Sequence, residues 1–79
     1  MATLRLFASA REAAGTSRDT VPGSTVAEVL RVATERYGSG FAALLDTCKV
    51  WVNGEEAQQD QAVSDTDEVA VLPPVSGGA

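Results

Sequence analysis

Thr25-Val26-Ala27-Glu28-Val29-Leu30-Arg31-Val32-Ala33-Thr34-Glu35-Arg36-Tyr37-Gly38 is the stretch whose reading decides the fold. Val26, Val29, Leu30, Ala33 and Tyr37 fall at i, i+3, i+4, i+7 and i+11, one continuous apolar stripe on a helix. Glu28, Arg31, Glu35 and Arg36 fall off that stripe. Thr25 and Glu28 have the spacing of a capping box, in which each end satisfies an orphan N–H of the other, and Gly38 is the expected stop. Such a stripe packs a helix across a sheet, so the flanking chain should supply strands.

Upstream, Leu4 and Leu6 alternate with Arg5 and Phe7. The alternation predicts a first strand over residues 3–8, with the leucines in the core and Arg5 and Phe7 on the other face. The Ala-rich residues 9–15 predict one helical turn with Ser9 as cap and Gly15 as stop. Residues 17–21 predict a second strand, paired with the first as a hairpin and ended by Pro22-Gly23.

Downstream, Phe41, Leu44 and Leu45 repeat at helical spacing and predict a short second helix ending near Asp46. Residues 49–53 predict a third strand with Val50 and Val52 inward and Trp51 outward. Asn53-Gly54 is a tight-turn dipeptide. Residues 55–57 read as a short edge strand kept charged against edge pairing, and residues 58–67 as a polar connection anchored by Val63. The last strand spans residues 68–72, with Val69 and Val71 inward and Ala70 and Leu72 outward. One crossover helix between the two halves requires the first and last long strands to run parallel, side by side at the sheet centre. That is the order of a ubiquitin-like β-grasp. It is an α+β domain with a mixed sheet of four to five strands and one main helix on one face. Residues 1–72 form the domain, and residues 73–79 a flexible Gly-Gly tail.

A chain of 79 residues makes one domain. At this length only about 60% of the unfolded surface is buried, so the core is small. Apolar residues make up 44% and charged residues 22%, which fits a globular rather than a disordered chain. Eleven acidic and six basic side chains give a net charge of −5. That balance argues against nucleic acid as a partner, and suits a partner with a basic surface. Cys48 is the single cysteine and histidine is absent, which leaves no intramolecular disulfide, no zinc set and no histidine base. Met1-Ala2-Thr3-Leu4-Arg5 lacks the pattern of a signal peptide. No run approaches the roughly 20 apolar residues of a membrane span. The expectation is a cytoplasmic protein without a membrane partner. Cys48 reads as a small, partly buried hydrophobe rather than a reactive thiol. Asp65, Asp67 and Glu68 read as a polar turn, because the spacing of a calcium loop is missing.

The chain closes with Leu72-Pro73-Pro74-Val75-Ser76-Gly77-Gly78-Ala79. The prolines fix φ and donate no N–H, so the strand must stop there and the exit runs extended, away from the body. Gly77 and Gly78 have no Cβ, so the backbone there can pass a channel too narrow for other residues. This reads as a tail built for insertion.

Three stretches carry a family resemblance. They are Phe7-Ala8-Ser9-Ala10-Arg11-Glu12-Ala13-Ala14-Gly15, Val52-Asn53-Gly54, and the run from Asp65-Thr66-Asp67-Glu68-Val69 to Pro73-Pro74-Val75-Ser76-Gly77-Gly78. Together they resemble the small, sulfur-carrying subunit of molybdopterin synthase, among the ubiquitin-like sulfur carriers of the MoaD–ThiS family. The resemblance implies that a ubiquitin-activating-type enzyme adenylates the terminal glycine carboxylate with ATP, and that sulfur then replaces the adenylate to give a thiocarboxylate. The tail enters the large synthase subunit and hands its sulfur to a pterin precursor. Carried onto this chain, the reacting carbonyl is that of Gly78, and Gly77 gives the slender approach. Phe7, Trp51, Leu72, Pro73, Pro74 and Val75 form the partner-binding surface. The chain is then a covalent carrier, no enzyme by itself, and binds no cofactor or metal.

Ala79 departs from the family, which ends at the second glycine. While it remains, Gly78 has no free carboxylate. A processing protease that trims Ala79 is the first expectation. A residue added for expression and a loss of sulfur transfer are the others. A carrier for the thiamine, cysteine or siderophore pathways, or a ubiquitin-like binding module with an inert tail, are the alternative functions.

Overall fold

The helical stripe and the strand alternation close on each other in a two-layer sandwich. The computed structural model describes residues 1–74. Along the chain run β1 (Ala2–Leu6), α1 (Ala8–Ala14), β2 (Arg18–Val21), α2 (Val26–Tyr37), α3 (Ser39–Leu45), β3 (Lys49–Val52), β4 (Glu55–Glu56) and β5 (Glu68–Leu72). The sheet order is β2-β1-β5-β3-β4. β1 and β5 are parallel at its centre, and the other neighbours are antiparallel. This is the expected β-grasp, with five strands and three helices. The core joins Leu4, Leu6, Val21, Val69 and Val71 of the sheet to Val26, Val29, Leu30 and Ala33 of α2, with Phe41 of α3 and Ala10 of α1 closing one end. No helix among the described residues is long and apolar enough to cross a membrane.

The start of α2 differs from a simple capping box. Thr25 Oγ1 accepts the Glu28 N–H at 3.2 Å, as expected, but the Glu28 carboxylate accepts from the Ser24 N–H at 2.8 Å instead of from Thr25. Thr25 also stands in an isolated antiparallel bridge with Ala62, made by the bonds of its neighbours: the Val63 N–H donates to the Ser24 carbonyl at 3.0 Å. The connection after β4 also caps the helix, since Val26 and Ala27 donate to the carbonyls of Gln61 and Gln59 at 3.0 and 2.9 Å. Orphan first-turn N–H groups are thus satisfied by backbone from elsewhere in the chain. Val63, the expected anchor, is buried beside this lacing.

Ser9 does not cap α1. The cap lies two residues earlier, at Phe7, which is extended, and no side chain bonds the first turn. Ala8 has φ of 51°, a left-handed value that costs a non-glycine residue about 1–2 kcal/mol. That turn breaks β1 off after Leu6 and sends α1 across the end of the sandwich. Asn53 and Gly54 have φ of 52° and 88°, the two positive values of a type I′ hairpin between β3 and β4. The Asn53 side chain also holds the start of β5. Its amide donates to Asp67 and its oxygen accepts the Glu68 N–H, both at 2.9 Å.

Tyr37 stacks edge-on against Phe41, ring centroids 5.2 Å apart, and its hydroxyl donates to Asp19 Oδ2 at 2.5 Å. Arg36 donates to the same oxygen at 3.0 Å and to the Thr20 carbonyl at 2.9 Å, which ties the end of α2 to β2. The Tyr37 and Arg36 donors hold the Asp19 carboxyl below its ordinary range. Burial, then Asp19, push the Tyr37 phenol from 10.0 up to about 12. A folded-state pKa above the unfolded one stabilises the fold below the unfolded value, and that stability drains as pH rises through the folded value. Thermal stability is therefore expected to fall between pH 10 and about 12 as Tyr37, the single tyrosine, ionises. Tyr37→Phe should be less stable at neutral pH and lack that part of the alkaline fall. Melting curves across pH check this, and an identical alkaline slope in the variant would contradict it.

Candidate functional site

Strand parity sets the open face of the sheet. Leu6, Val52 and Val71 point into the core, so Phe7, Trp51 and Leu72 next to them point away. The register gathers these three side chains, because Leu6 and Val50 both face Val71 across β5, and Trp51 faces Ala70. Ala70 is flanked by Arg5 and Trp51 in that register. Its small side chain floors a hollow of about 210 Å3 lined by Phe7, Trp51, Gly54, Glu68 and Leu72. A second hollow, about 320 Å3, continues from Trp51 and Leu72 along Pro73 and Pro74, with Thr47 and Lys49 on its far wall. The expected apolar patch is present and leads into the tail exit. Of the three only Phe7 is exposed, at 40%; Trp51 and Leu72 are half-buried, because they lie within strands flanked on both sides. Phe7 stands beyond the last residue of β1.

Arg5 holds Phe7 in place. Its guanidinium carbon lies 5.5 Å from the Phe7 ring centroid, and its Nη1 lies 3.4 Å from Glu68 Oε2. A cation over an exposed ring contributes about 0.5–1 kcal/mol. Pro73 is half-buried and Pro74 exposed. The expectations for Val75, Gly77, Gly78 and Ala79 lie outside the described residues.

A larger hollow, about 440 Å3, is on the helix layer between α2, α3 and β3. Cys48 lines it. Its Sγ donates to the Leu44 carbonyl at 3.3 Å, and burial pushes the thiol above its ordinary range, so it is no ready nucleophile. Asp65, Asp67 and Glu68 do not converge. Asp65 meets the Met1 ammonium, Asp67 bonds Asn53 and Ser64, and Glu68 reaches Arg5. The arrangement is an apolar surface that ends at Pro73 and Pro74.

The family model of the ThiS family matches residues 4–78, from within β1 through Gly78. The chain belongs to the ThiS family. Among its relatives is the molybdopterin synthase sulfur carrier subunit of Mycosarcoma maydis, 36% identical over 91% of this chain and 87% of that one. The solution structure of the small archaeal modifier protein 1 from Methanosarcina acetivorans is similar with a TM-score of 0.86. It is 29% identical and covers 98% of this chain and 95% of that one. A chain of the Amycolatopsis orientalis BexX/CysO complex matches with a TM-score of 0.83 at 25% identity, covering 99% of this chain and 100% of that chain. In this ThiS-family chain the match stops at Gly78 and leaves Ala79 beyond it.

Two parts of this apolar surface escape sequence reading. Ala70 gives no signal that it floors a hollow, and Arg5 carries no mark that it faces Phe7. Asn53 was visible only as a turn residue; its second role at β5 needs the fold.

Proposed function

We propose that this chain is a sulfur carrier in molybdenum cofactor biosynthesis, the small subunit of molybdopterin synthase. One observation carries the reading: an apolar open face runs through Leu72 into Pro73 and Pro74, in a chain whose family match continues to Gly78. A protease first removes Ala79. The Gly78 carboxylate, held on a ubiquitin-activating-type enzyme, attacks the α-phosphate of ATP and pyrophosphate leaves. Hydrosulfide delivered by a sulfur donor then attacks the acyl carbon; the bond to AMP breaks, a C–S bond forms, a proton is lost, and the tail ends in a thiocarboxylate. Gly77 and Gly78 slip into the large subunit because neither presents a side chain. Phe7, Trp51, Leu72, Pro73, Pro74 and Val75 seat the domain on its partner. The carrier brings no base and no bound cofactor, and ATP belongs to the activating enzyme. The partners supply the catalytic groups in the cytoplasm.

The test is a reconstitution. A chain ending in Gly78 thiocarboxylate, mixed with the large subunit and the pterin precursor, should yield the dithiolene product. The same chain with Ala79 should yield none. If the large subunit accepts another carrier's thiocarboxylate but not this one, the chain serves a different sulfur pathway or is a binding module.

A further inference from the structure

The sheet has two edge strands, and they are built differently. β4 is two residues long and both are glutamates, too short and too charged to take on another strand. β2 is four residues long and forms the other edge. The Leu6 N–H donates to the Ser17 carbonyl at 3.0 Å, so the pairs that exchange ladder bonds with β1 are Leu6–Ser17, Leu4–Asp19 and Ala2–Val21. Arg18 and Thr20 fall between them, and their N–H and C=O groups point off the sheet. Left open, such a row of backbone groups is a template for a further strand.

Every one of these outward groups is taken by a side chain. Thr16 Oγ1 donates to the Arg18 carbonyl at 2.9 Å and accepts the Arg18 N–H at 3.3 Å. Asp19 Oδ1 accepts the Thr20 N–H at 2.8 Å. Arg36 Nη1 donates to the Thr20 carbonyl at 2.9 Å. Arg36 comes from the last turn of α2 and is itself held by Asp19 Oδ2 at 3.0 Å, which also accepts from the Tyr37 hydroxyl. The ladder to β1 uses none of these bonds. Asp19 also acts by its charge. Two β2 strands meeting about a two-fold axis pair best with Arg18 of each opposite Thr20 of the other, since those are the residues with outward groups. That register sets the two Asp19 side chains directly opposite, in a pair without ladder bonds, where side chains stand closest and like charges oppose pairing.

We propose that Thr16, Asp19 and Arg36 form a latch that shuts the outer edge of β2 against strand addition, and that the strand it keeps off is β2 of a second copy of this chain. The register argues for a second copy: the outward groups of β2 are self-complementary about Asp19, and Pro22, which has no N–H, stops the pairing from sliding past the end of the strand. The latch keeps the chain a monomer. The same closure denies the edge to an extended segment of any other protein.

The test is sedimentation of the untagged, full-length chain at concentrations rising to about 1 mM, where even a weak pairing fills. The wild type should keep its monomer mass throughout. The triple variant Thr16→Val, Asp19→Asn, Arg36→Leu frees both Arg18 groups and the Thr20 carbonyl, removes the facing carboxylates and leaves the net charge at −5. Its mass should double over that range. Adding Thr20→Pro should return it to the monomer, because proline removes an outward N–H that the ladder to β1 does not use. Arg31→Leu, the same apolar gain elsewhere on α2, should leave the wild-type chain a monomer. Arg36→Leu alone keeps Asp19 and serves if the triple variant does not fold. It should associate at a Debye length of about 3 Å, where the facing carboxylates are screened, and not at about 10 Å. A folded triple variant that stays a monomer, a dimer that survives Thr20→Pro, an Arg36→Leu chain that stays a monomer at both salt levels, or a wild-type chain that itself dimerises overturns the latch.

Discussion

Phe41→Ala is expected to cost about 3–5 kcal/mol of folding stability, the range for removing a buried aromatic ring. Phe41 is 0% exposed and closes the end of the core where α3 meets α1 and α2. A domain of 79 residues has about 4–12 kcal/mol in total, at roughly 0.05–0.15 kcal/mol per residue. The substitution therefore removes about a quarter or more of the stability and also strips Tyr37 of its edge-on partner. Urea unfolding checks this: the midpoint should drop while the slope holds. A loss below about 1 kcal/mol would mean that the helix layer refills the space, and that α3 is an accessory to the core rather than its plug.

The same residue type on the other face of the sheet predicts the opposite pattern. Phe7→Asp should leave the melting temperature nearly unchanged, because the ring is already 40% exposed and the new carboxylate sits beside Arg5. Binding to the large synthase subunit should weaken by at least about 2 kcal/mol, roughly 30-fold, as for an aromatic anchor at the centre of an interface. Trp51 and Leu72 remain, but a charge would sit on the rim of the hollow they share with Phe7. A variant that unfolds would make Phe7 part of the core. A folded variant that binds like the wild type would move the docking surface elsewhere. The contrast with Phe41 is the physical content of the prediction: one ring stabilises the fold, the other is left uncovered.

Much of this was legible in the sequence because it follows from period. The 3.6-residue stripe of α2 and the alternation in β1, β3 and β5 fix which side chains meet, and those determine the β-grasp and the patch of Phe7, Trp51 and Leu72. What was not legible depends on contacts distant in sequence. Ser9 is a favourable cap by local preference, yet α1 starts from the left-handed Ala8, a conformation set by how the helix must cross the sheet end. Glu28 bonds Ser24 rather than Thr25, at a helix start onto which residues 59–63, distant in sequence, are laced. Composition carries no positions, so the places of Arg18 opposite Arg5 and of Lys49 opposite Leu72 needed the register. The terminal glycines are the reverse case, since their meaning is local and chemical.

The most direct test of the carrier reading is the intact mass of the protein isolated from its own cells with an untagged C-terminus. The account predicts a species that has lost Ala79 and exchanged one carboxylate oxygen for sulfur. A population made up only of the full-length, unmodified chain, even after incubation with an activating enzyme, ATP and a sulfur donor under conditions that convert a chain ending at Gly78, would contradict it.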